Sequence, residues 1–241
     1  MTPARRSQLV ISCEHGGREV PPAYAPLFSG REALLDSHRG WDAGALELGQ
    51  ELSAATGAPL HAATTTRLLV DLNRSIGHRT LFSEITRVLP PELRQDIVDR
   101  YYRPHRQAVE GAIARFIAAG SQVTHVASHS FTPTLDDLPR HADVAWLYDP
   151  ARPGEVTFAR AWMRQLAQLA PELRLRRNYP YRGRDDGLTA ALRKRHPDRA
   201  YVGIELEINQ RFVEQGSVPW DRLKTMLVDS LRSVLAGAPD R

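Results

Sequence analysis

Residues 8–17 read QLVISCEHGG. The first six form a largely apolar run of strand length, and two glycines break the pattern just after a cysteine, a glutamate and a histidine. In an open α/β sheet the ligand site lies past the carboxyl ends of the strands, so this break is where chemistry is expected. Working outward, the same alternation continues along the chain. Helical spacing over 43–56, with Leu46, Leu48 and Leu52, stops at Gly57, and the runs 60–65 and 67–72 read as two strands. Residues 91–119 read as a long helical region interrupted near Pro104 and stopped at Gly120. Further strands are expected over 122–128, 143–148, 173–177 and 201–208, separated by helices over 153–169, 187–195 and 219–235. Strands joined through helices of this length need crossover connections. The expected fold is therefore a single α/β domain over residues 1–241, with three layers. Its sheet is mixed and largely parallel, with helices on both faces.

Composition narrows the function. At 241 residues, 42% hydrophobic and 25% charged, the chain can bury one full core. It has no apolar stretch long enough to cross a membrane, and its N-terminus turns polar too early for a secretory signal. Cys13 is the single cysteine, which excludes an internal disulfide framework and points to a reducing compartment, the cytoplasm. Of the 32 Lys and Arg only Lys194 and Lys224 are lysines, a choice that reads as genomic base composition. Nine basic residues fall within 174–199 against Asp185, Asp186 and Asp198. That local excess of six is larger than the whole chain's +4, so the remainder is slightly acidic. A cluster of this kind suits a small anionic substrate at least as well as a polynucleotide. Neither common Gly-rich phosphate fingerprint is present, so nucleotides lose ground. A non-catalytic protein holding RNA or an acidic partner through 174–199 stays as an alternative.

Four strand ends offer chemistry. The first carries His15, and the element after it opens with His38-Arg39-Gly40-Trp41-Asp42. Another run ends in Asp71-Leu72-Asn73-Arg74, a fourth in Ser128-His129-Ser130, and a fifth carries Glu205 and Glu207. Singly, each has a plain role: a turn-capping histidine, a helix N-cap at Asp42, a satisfied buried histidine, the solvated face of an edge strand. Their coincidence points to a mononuclear zinc hydrolase, because catalytic zinc takes three His or carboxylate ligands and keeps one position open. His15, Asp42 and His129 fit that count. Period 2 puts Glu205 and Glu207 on one strand face; Glu207 is the expected general base, with Glu205 second. Arg74 is expected to stabilise the developing oxyanion and Asn73 to orient the substrate. His38 is a weaker ligand candidate. A Cys-His nucleophile at Cys13 is not expected, since a strand-terminal cysteine is usually a small buried hydrophobe. Tyr101, Tyr102, His105 and Arg106 sit in a helical region and read as packing.

Taken together, the motifs resemble the N-formylglutamate amidohydrolase family, related in fold and zinc site to zinc carboxypeptidases and aspartoacylases. The matching stretches are SCEHGG at 12–17, SHRGWD at 37–42, TRLLVDLNRS at 66–75, SHSFTP at 128–133, NYPYRG at 178–183 with DGLT at 186–189, and GIELEINQ at 203–210. They span nearly the whole chain in order. The resemblance implies a zinc-carboxypeptidase-like (phosphorylase/hydrolase-like) fold, one zinc on His15, Asp42 and His129, the Asn-Arg pair at Asn73 and Arg74, and the strand glutamate at Glu207. It also implies hydrolysis of a small N-acyl amide, N-formyl above all, from an anionic amino acid such as N-formyl-L-glutamate. A metallo-peptidase or amidase acting on a larger, cell-wall-type peptide is the alternative within the same chemistry. One departure stands out: the related peptidases use a tight HxxE, whereas here position 18 is Arg and Glu19 lies one residue further on. The third ligand is thus expected from Asp42, with Glu19 or His38 as alternatives. Arg182, in the NYPYRG loop, is expected to clamp a substrate carboxylate, or else to pair with Asp185 or Asp186. Asn178, Arg67 and Glu205 complete the expected substrate-binding set. No nucleic-acid or membrane partner is expected.

Overall fold

The computed structural model describes residues 7–237. Strand β1 (Ser7–Cys13) is followed by a short helix α1 (Glu32–Asp36) and by α2 (Ala45–Thr56), then β2 (Leu60–Ala62). A long irregular stretch leads to α3 (Pro91–Ile97), a π-turn over Val98–Tyr102 and α4 (Arg103–Ala118). Next come β3 (Gln122–Phe131), a small hairpin of β4 (Thr134–Leu135) and β5 (Leu138–Pro139), β6 (Val144–Leu147) and α5 (Pro153–Leu169). The chain closes with β7 (Leu175–Arg177), α6 (Leu188–Arg195), β8 (Tyr201–Asn209), α7 (Arg211–Glu214) and α8 (Ser217–Ala236). Among the described residues no helix is long and apolar enough to cross a membrane.

The main sheet runs β2-β1-β3-β8-β6-β7. Its first four strands are parallel, β6 lies antiparallel to β8, and β7 is parallel to β6. Mixed, mostly parallel and covered on both faces, it has the layered α/β architecture expected. Because side chains alternate across a strand, each strand divides its residues between two different environments. Ile11, Val126, Ile204, Leu206, Val144 and Trp146 meet α2, α5 and α8 through residues such as Leu48, Leu52, Trp162, Leu166 and Leu227. On the other face, Val10, Val123 and Tyr201 meet α4 and α6 through Val109, Ile113, Leu188 and Leu192.

The structure corrects one expected strand and excludes two of the plain single-residue roles. Residues 67–72 are not a strand; they form turns, with Leu69 N–H bonded to Thr66 O and Arg67 N–H to Gly40 O. Leu68, Leu69, Val70 and Leu72 are instead buried against Tyr24, Phe28, Ile97 and Tyr102 in a separate apolar cluster. Burial without a sheet explains why the run looks strand-like. Glu205 and Glu207 are not on an edge strand, since β8 is flanked by β3 and β6. Asp42 is not an N-cap either. Gly44 fills that position at φ 79°, a left-handed conformation that a side chain would strain.

Candidate functional site

Parallel register assembles the site on the α4/α6 face. Ser12 pairs with Ala127, Ala127 with Glu205 and His129 with Glu207, so the even-spaced residues of β1, β3 and β8 line up past Ser12, His129 and Glu207 toward one rim. His15 follows β1 directly, and Asp42 is drawn over it by the bond from Asp42 N–H to His15 O at 2.9 Å. His15, Asp42 and His129 are all buried, and they can each present one ligand atom within 4.8 Å of the others. Asp42 Oδ2 faces Nδ1 of His129 at 2.9 Å and Nδ1 of His15 at 3.4 Å. Glu19, by contrast, is exposed and accepts a bond from Thr64 Oγ1, while His38 sits at the cavity mouth outside the cluster.

Each imidazole is backed by a carboxylate. His15 Nε2 lies 2.8 Å from Asp71 Oδ1, and His129 Nε2 lies 3.0 Å from Glu14 Oε2. Arg67 ties the first pair together, donating to Asp42 Oδ1 at 3.1 Å and to Asp71 Oδ2 at 2.9 Å. Burial works against charge on Asp42 and Asp71, but the facing imidazoles and Arg67 hold both carboxyls well below the usual range. Burial likewise opposes a charged His129, yet its hydrogen bond to Asp42 and the negative charge of nearby Glu14 lift it well above an ordinary histidine. Two imidazoles and a carboxylate, oriented from behind by further carboxylates, form a donor set that fits zinc or a similar divalent ion. Cys13 is fully buried and its thiol is pushed up, by burial first and then by Glu14 and Asp42, so it is no thiolate nucleophile.

Above the cluster opens a cavity of about 140 Å³, into which His38, Asn73, Arg74, Tyr181, Arg182, Glu205 and Glu207 also project. The two strand glutamates differ. Glu205 accepts a 2.5 Å bond from Thr189 Oγ1, whereas Glu207 Oε2 is buried without a hydrogen-bond partner, and burial raises Glu207 to about 8. Arg74 donates to Asp186 O and Asn73 O, and Asn73 Oδ1 accepts from Leu188 N–H at the start of α6. Arg182 makes no side-chain ion pair among the described residues. Asp186 is taken by Ser75, and Asp185 meets only the Arg182 backbone. Arg67 lies partly in the cavity wall, but its guanidinium is committed to the two aspartates. Asn178 is not in the cavity. Its Oδ1 accepts from Tyr148 N–H and Gly183 N–H, which anchors the loop that carries Arg182. Within the basic segment, Arg174, Arg193 and Arg195 are spent on Asp143, Glu155 and Glu110.

Sequence reading passed over Glu14, Asp71 and His105 as parts of the site. Asp71 carried a signal, four residues after Arg67 and two before Asn73, but its partner His15 lies 56 residues away. His105, read as packing, is buried and comes within 3.3 Å of Glu14 Oε1.

A family model described as N-formylglutamate amidohydrolase matches residues 7–213. A gene product of Agrobacterium tumefaciens superposes with a TM-score of 0.81 at 27% identity, covering 97% of this chain and 92% of the other. An N-formylglutamate amidohydrolase from Ralstonia eutropha JMP134 shares the fold, with a TM-score of 0.71 at 19% identity over 96% and 94% of the two chains. No protein with a curated description matches by sequence.

Proposed function

Because the chain belongs to the N-formylglutamate amidohydrolase family and is an amide-bond hydrolase, we propose that it removes a small N-acyl group, formyl above all, from an anionic amino acid, using zinc. The observation that carries this reading is the buried His15–Asp42–His129 cluster at the base of a cavity lined by Glu207, Arg74 and Arg182. His15, Asp42 and His129 would hold the ion. When bound, it supplies Lewis acidity and brings a water pKa to about 7. Glu207, through its unpartnered Oε2, takes the proton of the attacking water and returns it to the leaving amine. Arg74 donates to the oxygen on which negative charge develops, and Asn73 keeps Arg74 and the α6 start in place. Arg182, free of any carboxylate of its own, pairs with the substrate carboxylate. The small cavity favours a compact N-acyl amino acid over an extended peptide.

The test is elemental analysis of the unchelated protein with an assay for formate release from N-formylglutamate. Glu207→Gln should lose a factor of about 10² to 10⁴ in turnover and keep its metal. Asp42→Ala should lose the metal. Zinc loss in the Glu207 variant would make that glutamate a ligand and sink its role as base.

A further inference from the structure

We infer that Glu14, steadied by His105, is a positioning residue that sets how His129 faces Asp42 and so how tightly the cluster takes a divalent ion; this rests on the metal reading above. The two imidazoles of the cluster are placed in similar ways, His15 with a hydrogen bond to its second carboxylate and His129 with a close ion-pair contact to its own. Each turns Nδ1 toward Asp42 and Nε2 toward a second carboxylate, Asp71 for His15 and Glu14 for His129. A carboxylate on the far nitrogen fixes which nitrogen keeps its proton, holds the ring plane and makes the near nitrogen a better donor to a metal.

Glu14 has the features this task demands. It lies in the turn directly after β1, between Cys13 and His15, and from there its carboxylate comes to Nε2 of His129 at 3.0 Å. It is fully buried, and no Lys or Arg among the described residues pairs with it. Its two oxygens are divided between rings, Oε2 to His129 at 3.0 Å and Oε1 to His105 at 3.3 Å. His105 reaches it from α4, on the layer that covers this face. Without that donor Oε1 would be a buried acceptor with nothing to accept, and the carboxylate would be free to turn away from His129. A negative charge buried at this depth is costly to keep merely as filler.

The experiment is zinc competition against a chromophoric chelator on the metal-free, full-length protein, with thermal melting of each variant and histidine-ring ¹⁵N spectra alongside. Glu14→Gln keeps the shape and loses the charge; it should bind zinc about 10- to 100-fold more weakly and blur the His129 proton between its two nitrogens. His105→Leu should weaken zinc severalfold, and His105→Gln, whose amide still donates to Glu14, should restore it. Should Glu14→Gln fail to fold, the His105 pair decides. Wild-type affinity in both Glu14→Gln and His105→Leu would overturn the inference and leave the metal reading standing. So would His105→Gln binding as weakly as His105→Leu, since His105 would then only fill space. A wild-type protein that takes up no zinc would overturn the metal reading as well.

Discussion

Glu207 and Glu205 stand two residues apart on the same strand face, and only Glu207 has a fully buried oxygen without a hydrogen-bond partner. Thr189 donates to one oxygen of Glu205, while nothing among the described residues donates to Glu207 Oε2; both carboxylates line the cavity. The general base proposed for Glu207 acts when ionised, and burial raises this group from 4.5 to about 8. Activity should therefore rise with pH through a limb above the ordinary carboxylate range, with a nearby divalent ion drawing the limb down from 8. The check is the pH profile of kcat/KM for the wild type and Glu207→Asp. An identical limb in both would assign it to another group. At this scale the sequence was informative about residue types and silent about partners. His15, Asp42, His129 and Glu207 could be read from strand ends, because strand ends are where sheets place chemistry. Glu14 and Asp71 could not, since their roles depend on which ring each meets across 115 and 56 residues of chain.

Among the elements, the loop over residues 178–187 shows how a fold holds Arg182 at the cavity without a helix or strand. Asn178, at φ 51°, bridges two backbone amides, and Gly183 presses against the Tyr148 backbone so closely that a Cβ would collide with it. Gly183→Ala should shift the loop and Arg182 with it, raising KM severalfold while metal content stays normal. Parallel assays of formate release and zinc content decide the point, and zinc loss would mean that the loop also braces the cluster. Deeper in, β3 carries His125, fully buried between Ser12 Oγ and Tyr201 OH at 2.8 Å each. Burial lowers it from 6.5 to about 4, so the fold favours the neutral ring. The sign follows. Its contribution is complete above pH 6.5 and is lost as pH falls from 6.5 through 4, to a total of about 3 kcal/mol. Urea unfolding of the wild type should weaken across that window, and His125→Gln should flatten the slope there; equal slopes would assign the loss elsewhere. Elements were legible wherever period and punctuation agreed, as in α5, which begins at Pro153, and α2, which stops at Gly57. They were not legible at 67–72, where an apolar run is buried by α3 and the 22–28 segment instead of by neighbouring strands.

For the molecule as a whole, the sheet separates two tasks. The face toward α2, α5 and α8 is almost wholly apolar, with Trp162 edge-on to Trp146 and its indole N–H bonded to Ser230 Oγ. The face toward α4 and α6 gives up apolar area to His125, Glu14, His129, Glu205 and Glu207. Trp162→Ala should cost about 3–5 kcal/mol and leave zinc affinity and kcat near wild type at a temperature where the variant is folded. Denaturant melts beside zinc titration measure both, and a parallel fall in affinity would show the two faces to be coupled.

That separation bears on how such a chain can change over generations. Substitutions beneath α5 and α8 trade one apolar shape for another, so robustness can be gained or lost there without a new chemistry being risked. On the opposite side nearly every buried polar group leans on another, from Glu14 to His129 to Asp42 to Arg67 to Asp71 to His15. Drift has little room in that circuit. Under the proposed function, innovation in what is hydrolysed would fall instead to the loop bearing Tyr181 and Arg182, which line the cavity.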